Sequence, residues 1–134
     1  MSQKRKKRFR SGTAYSWFEG EGGYLNAFKH NYIVIPKPKA YPEFADLKGC
    51  VAVVVDAVTG NYVYCIVGDF GPSDSVGEVS YAVAVNLGHD YVSGSMDAEG
   101  RFYFYILPGT NPAGKWNRST LNDDLAKVGS KYYP

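Results

Sequence analysis

The chain has 134 residues, enough for one domain with a real core and too few for two. Its hydrophobic fraction of 45% is that of a globular protein, and its longest apolar run, Val51 to Val55, is far too short for a membrane-spanning helix. The net charge of +2 hides an asymmetry: residues 4–10, KRKKRFR, hold six of the 15 basic residues, so the rest of the chain sets nine basic against 13 acidic residues, a net −4.

In chain order, residues 1–12 read as a basic, disordered arm, because like charges supply no buried face, and residues 13–134 as a single domain. The arm suits a solvated tail or contact with nucleic acid or an anionic surface, although the acidic body argues against a nucleic-acid-binding protein. Residues 11–23, SGTAYSWFEGEGG, are polar and glycine-rich, so no apolar segment follows the basic head and no secretion signal is read. Residues 31–36, NYIVIP, are β-branched and stopped by Pro36 and Pro38, which predicts a strand. Residues 36–49 carry three prolines and predict a loop. The strongest strand signals are 50–57 (CVAVVVDA) and 61–67 (NYVYCIV), joined as a hairpin at Thr59-Gly60. The first is apolar at nearly every position, which predicts burial on both faces.

Residues 68–75, GDFGPSDS, predict a loop. Val79, Ala82, Val83 and Asn86 then recur at helical spacing, Ser75-x-x-Glu78 matches a capping box, and Gly88 suits a helix end, so a helix is expected over 76–87 with Glu78 in its first turn. Residues 101–107, RFYFYIL, alternate as a strand. A second short helix is expected over 120–128, capped by Ser119 or Thr120 and stopped by Gly129. The pattern is mainly β with two short helices. Neither a two- nor a three-residue turn brings Cys50 and Cys65 within disulfide reach, which leaves two buried thiols. Two cysteines and two histidines, His30 and His89, at unrelated spacings make no metal signature, and nothing in the sequence requires a cofactor.

The stretch that carries chemistry is GDFGPSDSVGEVS, residues 68–80. Asp69 at a strand end and Glu78 at a helix start are joined by a short loop and can converge on one cleft. Two carboxylates in one cleft can break a glycosidic bond, one protonating the leaving oxygen and the other acting as base or nucleophile. Read as ordinary structure, Asp69 is a turn residue and Glu78 a cap. Asp74 can orient a substrate amine or cap the loop. Tyr64, Phe70 and Trp116 offer flat faces to a sugar or to the core. His89-Asp90 reads as a surface turn or an acid–base pair.

The combination resembles the core of glycoside hydrolase family 75, the chitosanases. It rests on Tyr32 to Pro36, Gly68-Asp69-Phe70-Gly71, Gly77-Glu78-Val79-Ser80, Leu87-Gly88 and the later YFYILPG at 103–109, and covers about residues 31–109. The resemblance implies Asp69 and Glu78 as catalytic residues of an inverting mechanism, with Phe70, Asp74, Ser80 and Tyr64 against the substrate. It implies a small six-stranded double-psi-like β-barrel. The expected partner is a polysaccharide, chitosan-like or, for a related lysin or toxin, peptidoglycan. The expected protein is a monomer that binds no nucleic acid and spans no membrane, and its action is directed outside the cell or at a cell wall. A non-catalytic carbohydrate- or protein-binding barrel is the alternative. An acidic body favours a cationic polymer.

Overall fold

A computed structural model describes residue 15 and residues 18–19, 23–39, 41–71, 78–88, 102–111 and 116–134. The basic arm, Asp74 and His89-Asp90 lie outside these residues. The strands are β1 (Phe18–Glu19), β2 (Tyr32–Pro36), β3 (Val51–Asp56), β4 (Tyr62–Gly71), β5 (Glu78–Val79), β6 (Phe102–Leu107) and β7 (Trp116–Asn117), and the helices are α1 (Tyr81–Asn86) and α2 (Leu121–Gly129). The protein is mainly β. Its centre is a mixed sheet of five strands in the order β5-β2-β4-β3-β6, curled into half a barrel, with β2 and β4 parallel and the other pairs antiparallel. Among the described residues the main sheet thus has five strands where six were expected, and β1 and β7 pair with each other, two residues apiece. Their Phe18 and Trp116 are buried in the core.

Both faces of the sheet are covered, which explains the unbroken apolar run of β3: all six of its residues are buried. On one face Ile33, Ile35, Ala52, Val54, Cys65, Val67 and Val79 pack against Val83, Ala84 and Leu87 of the α1 segment. On the other, Tyr32, Val34, Val51 and Ile66 pack against Leu25, Trp116 and the α2 residues Leu121 and Leu125. Burying each of these leucines contributes about 2 kcal/mol. Among the described residues no helix is long and apolar enough to cross a membrane.

Four local expectations need correction. The β3–β4 loop spans residues 57–61, five residues rather than two or three. The reason is Asp56, fully buried, whose Oδ1 accepts from Val58 N (2.9 Å) and Thr59 N (3.4 Å), while Gly60 at φ +80° donates its N–H to Asp56 O (2.7 Å). This register sets Cys65 opposite Ala52, and both cysteines are buried and free. Desolvation pushes the Cys65 thiol well above its ordinary pKa.

Residues 68–71 continue β4 instead of forming a loop, because β2 offers them a parallel partner. The pairing slips at Gly68, between Ile33↔Val67 and Val34↔Asp69. Next, Glu78 and Val79 form a strand, so α1 begins only at Tyr81, capped by Ser80. Finally, Gly129 ends α2 from within. Thr120 stands at the N-cap of that helix but makes no side-chain capping bond; its hydroxyl donates to Asp124 Oδ2 at 2.7 Å.

Gly129 lets α2 lie directly on the ring of Tyr64, whose hydroxyl donates to Tyr133 O. A Cβ at position 129 would collide with Cδ1 of that ring and stand 2.8 Å from Cε1. Gly129→Ala is therefore expected to lower the unfolding free energy by about 1–3 kcal/mol, even though alanine is the better helix former. Urea unfolding checks this, and an unchanged midpoint would contradict the packing.

Candidate active site

Asp69 and Glu78 are brought together by the sheet rather than by a loop. Val34, in the middle of β2, pairs with Asp69 of β4 on one side and with Glu78 of β5 on the other. Residues aligned across a sheet project to the same face. Asp69 and Glu78 thus flank Val34 on one face, with one strand between them. At roughly 4.8 Å per strand their Cα atoms lie about 10 Å apart. The slip at Gly68 is what makes this alignment. Without it Gly68 would sit opposite Val34, and Asp69 would point to the other face with Ile33 and Ile35. Tyr15 N donates to Gly68 O (3.0 Å) at that point.

The two carboxylates differ in exposure. Asp69 is half-buried, and its Oδ1 accepts from Phe70 N at 2.8 Å. Glu78 is 4% exposed. Glu78 was expected at the rim of a helix. The backbone ladder with β2 claims it instead and draws its side chain inward.

The other expected site residues separate. Ser80 has no exposed surface. Its Oγ donates to His30 O (2.7 Å) and accepts from Tyr32 N (3.2 Å) and Val83 N (3.4 Å), so it ties the start of β2 to the start of α1. With its hydroxyl fully engaged it is not a substrate contact. Phe70 pairs with Ile35 and joins the opposite face from Asp69, with Lys48 Nζ 5.6 Å from its ring centre. Tyr64 sits under α2, five residues before Asp69 on β4 and about 16 Å from it. Desolvation and then the neighbouring Tyr62 raise its phenol pKa. Trp116 is 4% exposed and donates its Nε1–H to Gly49 O (2.8 Å), which makes it a core residue. The expected position of Asp74 lies outside the described residues.

One feature escapes any motif. A cavity of about 340 Å³ opens where the chain entering β2 meets the start of α2, lined by Lys29, His30, Arg118, Asn122 and Asp123 among others. Asn122 holds the two segments together, accepting from Asn31 N (2.9 Å) and donating to Lys29 O (2.8 Å). These partners are some 90 residues apart in sequence, which is why no local pattern announces them.

Comparison with known proteins adds no identity: no protein-family model matches the chain, and no match is found among curated proteins.

Ser80→Ala would leave two buried N–H groups and one carbonyl without their partner. The expected cost is about 1–3 kcal/mol of stability, read by chemical denaturation. A variant as stable as wild type would contradict the tie between β2 and α1.

Proposed function

We propose that the protein is a glycoside hydrolase of the chitosanase kind, cleaving an amino-sugar polymer with Asp69 and Glu78 by inversion. The observation that supports this reading is their common alignment with Val34: two carboxylates, one sheet face, one strand between. Inverting enzymes hold the pair roughly 6.5–9.5 Å apart, leaving room for a water, and side chains rising from Cα atoms about 10 Å apart span that range. In this reading Glu78 is the acid that donates its proton to the glycosidic oxygen. Asp69 takes a proton from the water that attacks the anomeric carbon from the opposite side. The C–O bond breaks as the new one forms, and the anomeric configuration inverts.

The double-psi-like barrel belongs to the same proposal. Its support is the parallel β2–β4 pair inside an otherwise antiparallel sheet, with Asp69-Phe70-Gly71 at the end of β4. Peptidoglycan is the rival substrate. The second reading, a non-catalytic carbohydrate-binding half-barrel, is favoured by one observation: at 4% exposure Glu78 serves the fold as readily as a substrate.

Digestion of chitosan and of peptidoglycan by wild type, Asp69→Asn and Glu78→Gln decides among these. Each variant is expected to lose at least about 10²-fold in activity while keeping a cooperative thermal transition. A Glu78→Gln protein with near-full activity would remove Glu78 from the chemistry, and a wild type inert on both polymers would favour the binding reading.

A further inference from the structure

Five tyrosines that the carboxylate pair does not use form one continuous run of rings. In the sheet, Val55 stands between Tyr103 of β6 and Tyr62 of β4, and Val53 stands between Tyr105 and Tyr64. Tyr133, from the chain end, bridges the two strands. Its ring centre lies 4.9 Å from Tyr62 and 6.3 Å from Tyr105. Tyr62 and Tyr64 are 5.5 Å apart, and Tyr103 and Tyr105 6.3 Å. The run is open to solvent: Tyr62 is 40% exposed, and Tyr103 and Tyr105 are each 49% exposed. By strand alternation these sheet tyrosines lie on the α2 side of the sheet, which Leu25, Trp116, Leu121 and Leu125 cover over Val34, Val51 and Ile66; Tyr62 stands seven residues up β4 from Asp69, about 23 Å away.

A strand that only had to pack would not leave four large rings in two cross-strand rungs with three of them this exposed. Each ring supplies a flat apolar face of negative potential and a hydroxyl at its rim. A glucosamine unit is the complement: an apolar C–H face, hydroxyls around the edge, and an ammonium group that aromatic faces attract. The net −4 of the chain outside residues 4–10 favours the same polycation. Nucleic-acid bases also stack on exposed aromatics, but the phosphates must be met by cations, and none of the sheet positions in the run is basic.

We propose that Tyr62, Tyr103, Tyr105 and Tyr133 form a binding platform for a cationic amino-sugar chain, separate from the carboxylate pair. The platform rests on the preceding section for its substrate class and not for its chemistry. It holds the polymer on the exposed rings independently of cleavage.

Affinity electrophoresis of the full chain through gels containing polyglucosamine, neutral polyglucose or a single-stranded oligonucleotide tests this. Wild type is expected to be retarded by polyglucosamine most strongly. Tyr103→Ala/Tyr105→Ala is expected to weaken that retardation roughly tenfold. Tyr103→Phe/Tyr105→Phe, which keeps the rings, is expected to stay within about threefold of wild type and guards against a folding defect in the alanine variant. Loss of cleavage in Asp69→Asn with retardation intact separates the platform from the catalytic site. Retardation by polyglucosamine that depends on the rings, in a wild type that cleaves nothing, would support the platform while the hydrolase reading fell. Equal retardation of wild type and the alanine variant, no retardation of wild type, or preferential retardation by the oligonucleotide would each overturn the platform.

Discussion

The structure depends on β2, five consecutive residues that are all buried. This strand accepts a parallel neighbour, β4, along one edge and an antiparallel one, β5, along the other, while its two faces feed the two halves of the core. Ile33 and Ile35 point to the α1 side, Tyr32 and Val34 to the α2 side. A one-residue slip of β2 would exchange these sets. It would also part Val34 from Asp69 and Glu78. The same register that fills the core therefore aligns the carboxylates.

The slip at Gly68 is a local departure with a defined result. Up to Val67, β4 keeps strict alternation against β2; beyond it, the extra residue turns Asp69 to the α2 face and Phe70 to the α1 face. The position is crowded: a Cβ on Gly68 would meet Leu25 Cδ1 at 2.6 Å and Tyr32 Cβ at 3.1 Å. Glycine serves here because two side chains approach the backbone closely. Ser80 does comparable work on the other side of β2, fixing where the strand ends its pairing with β5 and the helix begins.

Local chemistry carried the sequence reading wherever neighbours in the chain decide the structure. The run VAVVVD announced a strand buried on both sides, RFYFYIL announced alternation, and Gly88 marked the end of α1, where it stands at φ +87°. The reading failed where a distant partner decides. Glu78 and Val79 fit a helical spacing, but ladder bonds to β2, more than 40 residues away, hold them as a strand. Residues 68–71 look like a loop, yet the parallel edge of β2 extends β4 through them. The hairpin length missed because a buried aspartate, Asp56, caps the turn with its side chain. Motifs singled out Asp69 and Glu78 as candidates; their alignment through Val34 was not legible, since no spacing in one segment encodes the order of three strands. Ser80 misled for a related reason: its part in the motif drew it toward the substrate, while its hydroxyl is spent on backbone groups.

If the pair is catalytic as proposed, the separation of two carboxylates by one strand prescribes the stereochemistry of cleavage. Proton NMR of the first reducing ends released from a β-linked glucosamine polymer, recorded before mutarotation, reads it directly. Attack by a water held between Asp69 and Glu78 yields the α-anomer. An initial β-anomer would require one carboxylate to bond the anomeric carbon itself, with the pair only about 5–5.5 Å apart, and would contradict the geometry described for this sheet.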